Sequence, residues 1–227
     1  MRVAVHLSSL AMLDGLLLEL ARSITGDVDE SAYDQTRQSA LALAQKYHVD
    51  VHHAQRVAAL SCQLFDRLYE IHRLDHRFRL LLEVAALVRE IGTFVSSRAH
   101  HKHTLYLLGH TEIFGLTQEE MQVVANVARY HRRSRPKPSH LEYVQLSQEK
   151  RRVVNKLAAL LRVADAVDIG RMELEYCQLD IDDETLRIVV PKGMDIALEK
   201  KELAAKSDMI QDIYGLNVRI ETGKVKP

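Results

Sequence analysis

Two short stretches of this chain concentrate side chains that can handle charge. In the first, Arg98 is followed closely by His100, His101, Lys102 and His103. The second runs from Arg129 to Lys137 and holds five bases, Arg129, Arg132, Arg133, Arg135 and Lys137, with His131 among them and no acid. His100 and His103 are three residues apart, so on a helix they share a face, which suits a metal when the imidazoles are neutral and an anion when they are protonated. Zinc requires a third and a fourth ligand, and no Cys or acid lies nearby in sequence. Phosphate needs only donors, and Arg98, Lys102 and the ring N–H groups supply them near a helix start. The basic run admits three readings: capping of a helix C-terminus, a solvated loop, or a row of guanidinium forks for a polyanion such as polyphosphate or an RNA backbone. There is no Gly-rich phosphate loop, no Gly-x-Ser-x-Gly elbow and no carboxylate pair marked by spacing, so no catalytic residue is assigned.

Composition narrows the classes. The 227 residues carry 31 bases and 31 acids, a formal net charge of zero, so nothing global argues for nucleic acid or a membrane surface. The charge is uneven locally, because Gln178 to Glu184 holds four acids and no base, and this asymmetry points to a local anion site. Cys62 and Cys177 lie far apart without framework spacing, which speaks against a disulfide scaffold or a zinc knuckle. No apolar run approaches eighteen residues and no signal peptide is visible, so a cytoplasmic location without membrane contact is expected. Aromatic residues make up 5% and Trp is absent, a poor supply for a single-strand stacking platform.

The elements that must position these side chains are mostly helices. Period-3.6 patterns cover roughly 8–22, 29–47, 50–72, 75–92, 98–108, 117–131 and 147–171. Asp50, Asp75 and Thr117 stand at cap positions, Glu120 completes a capping box with Thr117, Gly92 reads as a helix stop, and Pro136 and Pro138 open a loop. Beyond Arg171 the period changes to two. Tyr176 to Ile181 and Thr185 to Val190 read as a hairpin turning at Asp182 to Glu184, followed by a helix over about 198–214 and a strand from Leu216 to Glu221. The expected fold is mainly α, a multi-helix domain followed by a small α+β module of ββαβ order.

Several phrases resemble, in order, the C-terminal region of the exopolyphosphatase and guanosine pentaphosphate phosphohydrolase family, the Ppx/GppA family. LAMLDGLLLEL is similar to the helix that closes the family's actin-like half, RAHHKHTLYLL to its Gly-His-His-Lys-His-Ser-Ala-Tyr phrase, and ANVARYHRR to its Ala-Arg-Tyr-His-Arg-Lys phrase. Three others resemble HD-superfamily phosphohydrolases: His53 with Arg56 and Val57, EVAALVREIG, and RVADAVD with Asp165. In EVAALVREIG the usual His-Asp metal pair is replaced by Arg89 and Glu90. An Arg cannot ligate a metal and sets a fixed positive charge where a cation belongs. His53, Glu90 and Asp165 could supply three of four ligands only if Arg89 swung away; otherwise Arg89 is expected to pair with Glu90, Asp165 or Asp168 and replace the cation.

The resemblance implies a tail of phosphatase-domain helix or linker over 1–25, a degenerate HD-like helical domain over 26–172 and the α+β module over 173–227. It also implies a non-catalytic half that binds polyphosphate or guanosine pentaphosphate and supports a homodimer. Hydrolysis, with a magnesium-type cation, would belong to actin-like domains that are absent from this sequence, whether fused or separate. Arg98, His101, Lys102, His103, Arg129, His131, Arg132 and Arg133 are the expected polyphosphate-binding residues, and His53, Arg89, Glu90 and Asp165 the vestigial metal positions. Two other readings are a stand-alone metal-dependent HD-type phosphohydrolase acting on nucleotides, against which Arg89 speaks, and a module binding the RNA backbone.

Overall fold

Three of the described helices start at a side-chain acceptor that the sequence offers. In the computed structural model, which describes residues 30–132, 134–170, 177–182 and 184–224, helix α1 spans Glu30–Lys46 and α2 spans Val51–Arg67. Asp50 accepts from the His53 amide at 3.1 Å and caps α2. Helix α3 is the short turn Tyr69–His72, α4 is Arg77–Val88, α5 is His100–Gly109 and α6 is Gln118–Arg129. Both halves of the Thr117/Glu120 capping box form at the start of α6. Helix α7 is Leu141–Val144, and α8, Gln148–Val167, begins at Ser147, whose hydroxyl accepts from the Lys150 amide. The expected helix over 8–22, Arg133, the strand start at Tyr176 and the turn residue Asp183 lie outside the described residues.

Contacts divide the chain into a unit Met1–Gln35 and a unit Thr36–Pro227. The helices from α2 onward and the α+β segment therefore belong to one compact unit. At its centre is α8, where every residue from Leu157 to Val167 is buried. A helix covered on all sides must have neighbours all round, and α2, α4, α6 and two later helices pack on it.

Three expected helices are interrupted, each by a side chain that captures a backbone group. The helix expected to reach His72 stops at Arg67, because the carbonyl of Phe65 accepts from the His72 ring Nε2 at 2.7 Å. The Leu74 amide donates to the other ring nitrogen, which fixes this tautomer. The helix expected to run into Gly92 stops at Val88 and is followed by a 3-10 turn, Ile91–Phe94. Here Thr104 of α5 intervenes: its hydroxyl donates to the Arg89 carbonyl at 2.9 Å and accepts from the Gly92 amide at 3.0 Å. Gly92 is not a left-handed stop. It is required by close approach, since a Cβ there would lie 2.2 Å from the His100 carbonyl oxygen and 2.4 Å from the Thr104 amide nitrogen.

The third break, at Ser207, splits the last helix into α9, Ala197–Lys206, and α10, Asp208–Tyr214, both packed on α8. Strands β1, Gln178–Asp182, and β2, Thr185–Pro191, pair antiparallel with Asp182 opposite Thr185; β3, Asn217–Gly223, pairs parallel to β2. A parallel pair needs a crossover, which α9 and α10 supply. The sheet order is β1-β2-β3, and Leu186, Ile188 and Val190 alternate into the core. The architecture is mainly helical with a small α+β module at its end.

Candidate functional site

Arg89 follows α4, and its side chain is fully buried. Its Nε donates to Asp165 Oδ1 at 2.8 Å, Nη1 to the Ala86 carbonyl at 2.9 Å, and Nη2 lies 2.6 Å from His53 Nε2. A guanidinium can only donate, so His53 Nε2 is the acceptor and the ring proton sits on Nδ1. That proton points at Asp168 Oδ2, 2.6 Å away, and Arg56 closes the far side of Asp168 at 2.9 Å. The second oxygen of Asp165 accepts from Lys206 Nζ at 2.7 Å. Burial alone would raise the Asp165 carboxyl; Arg89, His131 and Lys206 outweigh it and hold the group well below the usual carboxylate range.

Of the three acids the sequence offers Arg89, the structure pairs it with Asp165, while Asp168 goes to His53 and Arg56. Glu90 stays outside this set of bonds, its backbone carbonyl accepting from Thr93. The guanidinium thus bridges an imidazole and a carboxylate. These residues do not fit a cation, and among the described residues no three His, Cys, Asp or Glu are grouped to hold one.

Next to this centre the two cationic stretches converge, because the N-terminal end of α5 packs against α6. His100 Nε2 lies 3.2 Å from His131 Nε2, with the rings nearly parallel and 5.3 Å apart. His131 donates from Nδ1 to the Ala128 carbonyl at 2.6 Å, so its Nε2 accepts. His100 Nδ1 lies 3.3 Å from the Ser97 carbonyl, which can only accept, so the two contacts of this ring compete for one proton. Burial, only partly offset by Asp165, pushes the fully buried His131 down to about 3. Burial followed by the charges of His100, Arg132, Arg129 and Lys102 pushes His101 down to about 4. Four positive or potentially positive neighbours of one imidazole mark this end of α5 as a basin of positive potential.

The expected binding residues do not all face outward. Arg98, Lys102 and Arg132 are exposed, and His101 and His103 are half-buried. Arg129 is buried and paired with Glu142 at 3.0 Å, and His131 is 2% exposed, so His131 is a packing residue of the basin floor. Arg133 lies outside the described residues. Arg135, from the same basic run, is taken up by Asp208 and Asp212 of α10.

Sequence reading missed Arg162. Fully buried on α8, it donates to the carbonyls of Arg132 and Lys206 and, at 2.6 Å, to Asp208 Oδ1. Capture of the Lys206 carbonyl and the Asp208 carboxylate accounts for the break between α9 and α10. The available signal was an Arg between Leu161 and Val163, on a stretch with no polar face.

Comparison with known proteins adds a family to this geometry. Residues 36–208 match the family model described as Ppx/GppA phosphatase, domain III. The guanosine-5′-triphosphate,3′-diphosphate pyrophosphatase of Pseudoalteromonas atlantica is 28% identical over 164 residues, 70% of this chain and 32% of that protein. Its namesake in Aeromonas hydrophila is 27% identical over 186 residues, 81% of this chain and 36% of that protein. The one in Pseudoalteromonas translucida is 38% identical over 88 residues, 38% of this chain and 18% of that protein. The chain thus spans about a third or less of these relatives. With most of its length covered by the family model, the chain belongs to the Ppx/GppA phosphatase family.

Proposed function

We propose that this chain is a substrate-holding part of a Ppx/GppA protein, binding the phosphate chain of polyphosphate or of a guanosine polyphosphate in the basin where α5 meets α6. The observation that carries this is the meeting of the two cationic stretches, far apart in sequence, at the 3.2 Å contact between His100 and His131. Exposed Arg98, Lys102 and Arg132 are the residues that contact the ligand, with His101 and His103 beside them; buried Arg129 and His131 contribute field and floor. Arg133 completes the expected set. Hydrolysis belongs to actin-like domains, fused to this chain or separate from it, and the whole assembles as a homodimer. The Arg89 bridge stands against a self-sufficient metal-dependent phosphohydrolase.

The test is titration with polyphosphate across a salt series, for the native chain and for Lys102→Ala with Arg132→Ala. Binding should weaken, and the slope of log affinity against log salt should flatten by roughly 0.7 per cation removed. Unchanged affinity would sink the assignment. Phosphate release by this chain alone, with magnesium or manganese added, would refute the non-catalytic reading.

A further inference from the structure

A neutral His100 leaves one of its two contacts unmade. Its Nε2 faces His131 Nε2 at 3.2 Å, and its Nδ1 faces the Ser97 carbonyl at 3.3 Å. Both partners are acceptors. The Ser97 oxygen can only accept, and His131 has given its Nδ1 proton to the Ala128 carbonyl at 2.6 Å, so its Nε2 presents a lone pair. One ring proton cannot serve both contacts, and the nitrogen that lacks it points a lone pair at another lone pair. An imidazolium, with a proton on each nitrogen, makes both bonds. It then ties the segment before α5 to the segment after α6, where the two cationic stretches lie.

The surroundings hold the free ring neutral. Burial lowers the His100 pKa below its ordinary value, with Arg132 adding to the effect, while the Ser97 carbonyl, Glu90 and Asp165 act the other way. His100 is also the first residue of α5, where the positive end of the helix dipole opposes a cation. Its own segment adds Arg98, His101 and Lys102. The end of α6 brings His131 and Arg132, the turn after α4 brings Glu90, and α8 brings Asp165, whose charge is already shared between Arg89 and Lys206. The 3-10 turn Ile91–Phe94, packed on α5, has no titratable side chain. An anion in the basin changes this balance, because it offsets Arg132 and favours a charged ring beside it.

We infer that an anion bound in the basin brings a proton with it: His100 becomes an imidazolium held between the Ser97 carbonyl and His131, and the basin tightens on its anion as pH falls. This adds regulation to the proposed function and rests on the basin binding phosphates. His101 lies in the same field, yet its Nδ1 is buried with no hydrogen-bond partner, so a second proton there gains no bond. His131 has no separate acceptor for a second proton either, since its Nε2 faces His100. The bound state holds more protons than the free one. Affinity therefore rises as pH falls through the raised pKa of the complex, and levels off below the lowered pKa of the free chain.

The discriminating experiment is calorimetric titration of the chain with long-chain polyphosphate, whose interior phosphates carry no weakly acidic proton, in buffers of different ionisation enthalpy. The dependence of the heat on the buffer reads the protons taken up per site. The native chain should take up a proton at pH 7, and its affinity should rise on going from pH 8 to pH 6 by up to about tenfold per pH unit, the limit for a single linked proton. His100→Gln cannot titrate, so it should bind without uptake and with an affinity that no longer follows pH, whereas His101→Gln and His103→Gln should keep both. Native binding without uptake, or uptake that survives His100→Gln, overturns the inference while the basin stands. Failure of the native chain to bind at all overturns the basin reading itself. If His100→Gln does not fold, long-range proton–nitrogen NMR of the native chain decides: both ring nitrogens of His100 should become protonated when polyphosphate is added, and ring signals that do not change would overturn the proposal.

Discussion

Arg89 shows how much of a buried polar centre one side chain can organise. Its guanidinium neutralises Asp165 and orients His53. Removing one partner of a buried pair strands the other, and Arg89→Met should cost about 3–5 kcal/mol in urea unfolding. A loss under about 1 kcal/mol would show that Lys206 alone satisfies Asp165. His131 gives a second prediction at this scale. Its pKa is about 3 in the folded chain and about 6.5 when unfolded, so across that window the unfolded state binds a proton that the native state does not. Stability therefore falls as pH falls below about 6.5, with this residue adding about 2 kcal/mol of loss by pH 5. His131→Gln should remove that part of the slope, whatever it does to stability at pH 7. An identical pH slope in the variant would refute the assignment. Asp165 acts with the same sign lower down, its contribution being lost below about pH 4, the ordinary carboxylate value.

Three helices of this protein start at a local side-chain cap, and three stop where a side chain from beyond the helix intervenes. The caps at Asp50, Thr117 and Ser147 are local, so a short window of sequence reveals them. The breaks after Arg67, Val88 and Lys206 depend on His72, Thr104 and Arg162, which capture backbone groups that helix continuation would have used. Periodicity alone runs through all three points. The turn after α4 also depends on Gly92, against which α5 is pressed. Gly92→Ala should push α5 away and cost about 3 kcal/mol or more, since its obstacles are backbone atoms that cannot rotate aside. Full stability on thermal melting would mean that α5 slides freely, and the basin it carries would then be a soft one.

Across the whole molecule, buried charges tie the helical part to the α+β module. Lys206 reaches Asp165 from α9, and Arg162 reaches the Lys206 carbonyl and Asp208 from α8, linking the module both to the Arg89 centre and, through the Arg132 carbonyl, to the basin loop. Arg162→Met should loosen the module selectively, with amides of α9 and α10 losing hydrogen-exchange protection well before those of α2 and α4. A uniform loss across all four helices would mean the module and the bundle unfold as one cooperative unit. The same ties explain why Arg135 gives little to an anion site: its charge is spent on Asp208 and Asp212.

The sequence alone determined the mainly helical architecture, the change to strands after Arg171 and the caps at Asp50 and Thr117, because each is written in neighbouring residues or in residue type. It also marked both cationic stretches. Only the tertiary structure decided which of those cations face water. Arg129 and His131 belong to a run, Val123 to His131, that packing encloses completely, while Lys102 and Arg132 stay outside. Tertiary structure also decided that Arg89 meets Asp165 and that Arg162 joins the basin loop to the module. These outcomes depend on helices separated by tens of residues and on the competition of buried donors for few acceptors, and neither quantity is recorded in local sequence pattern.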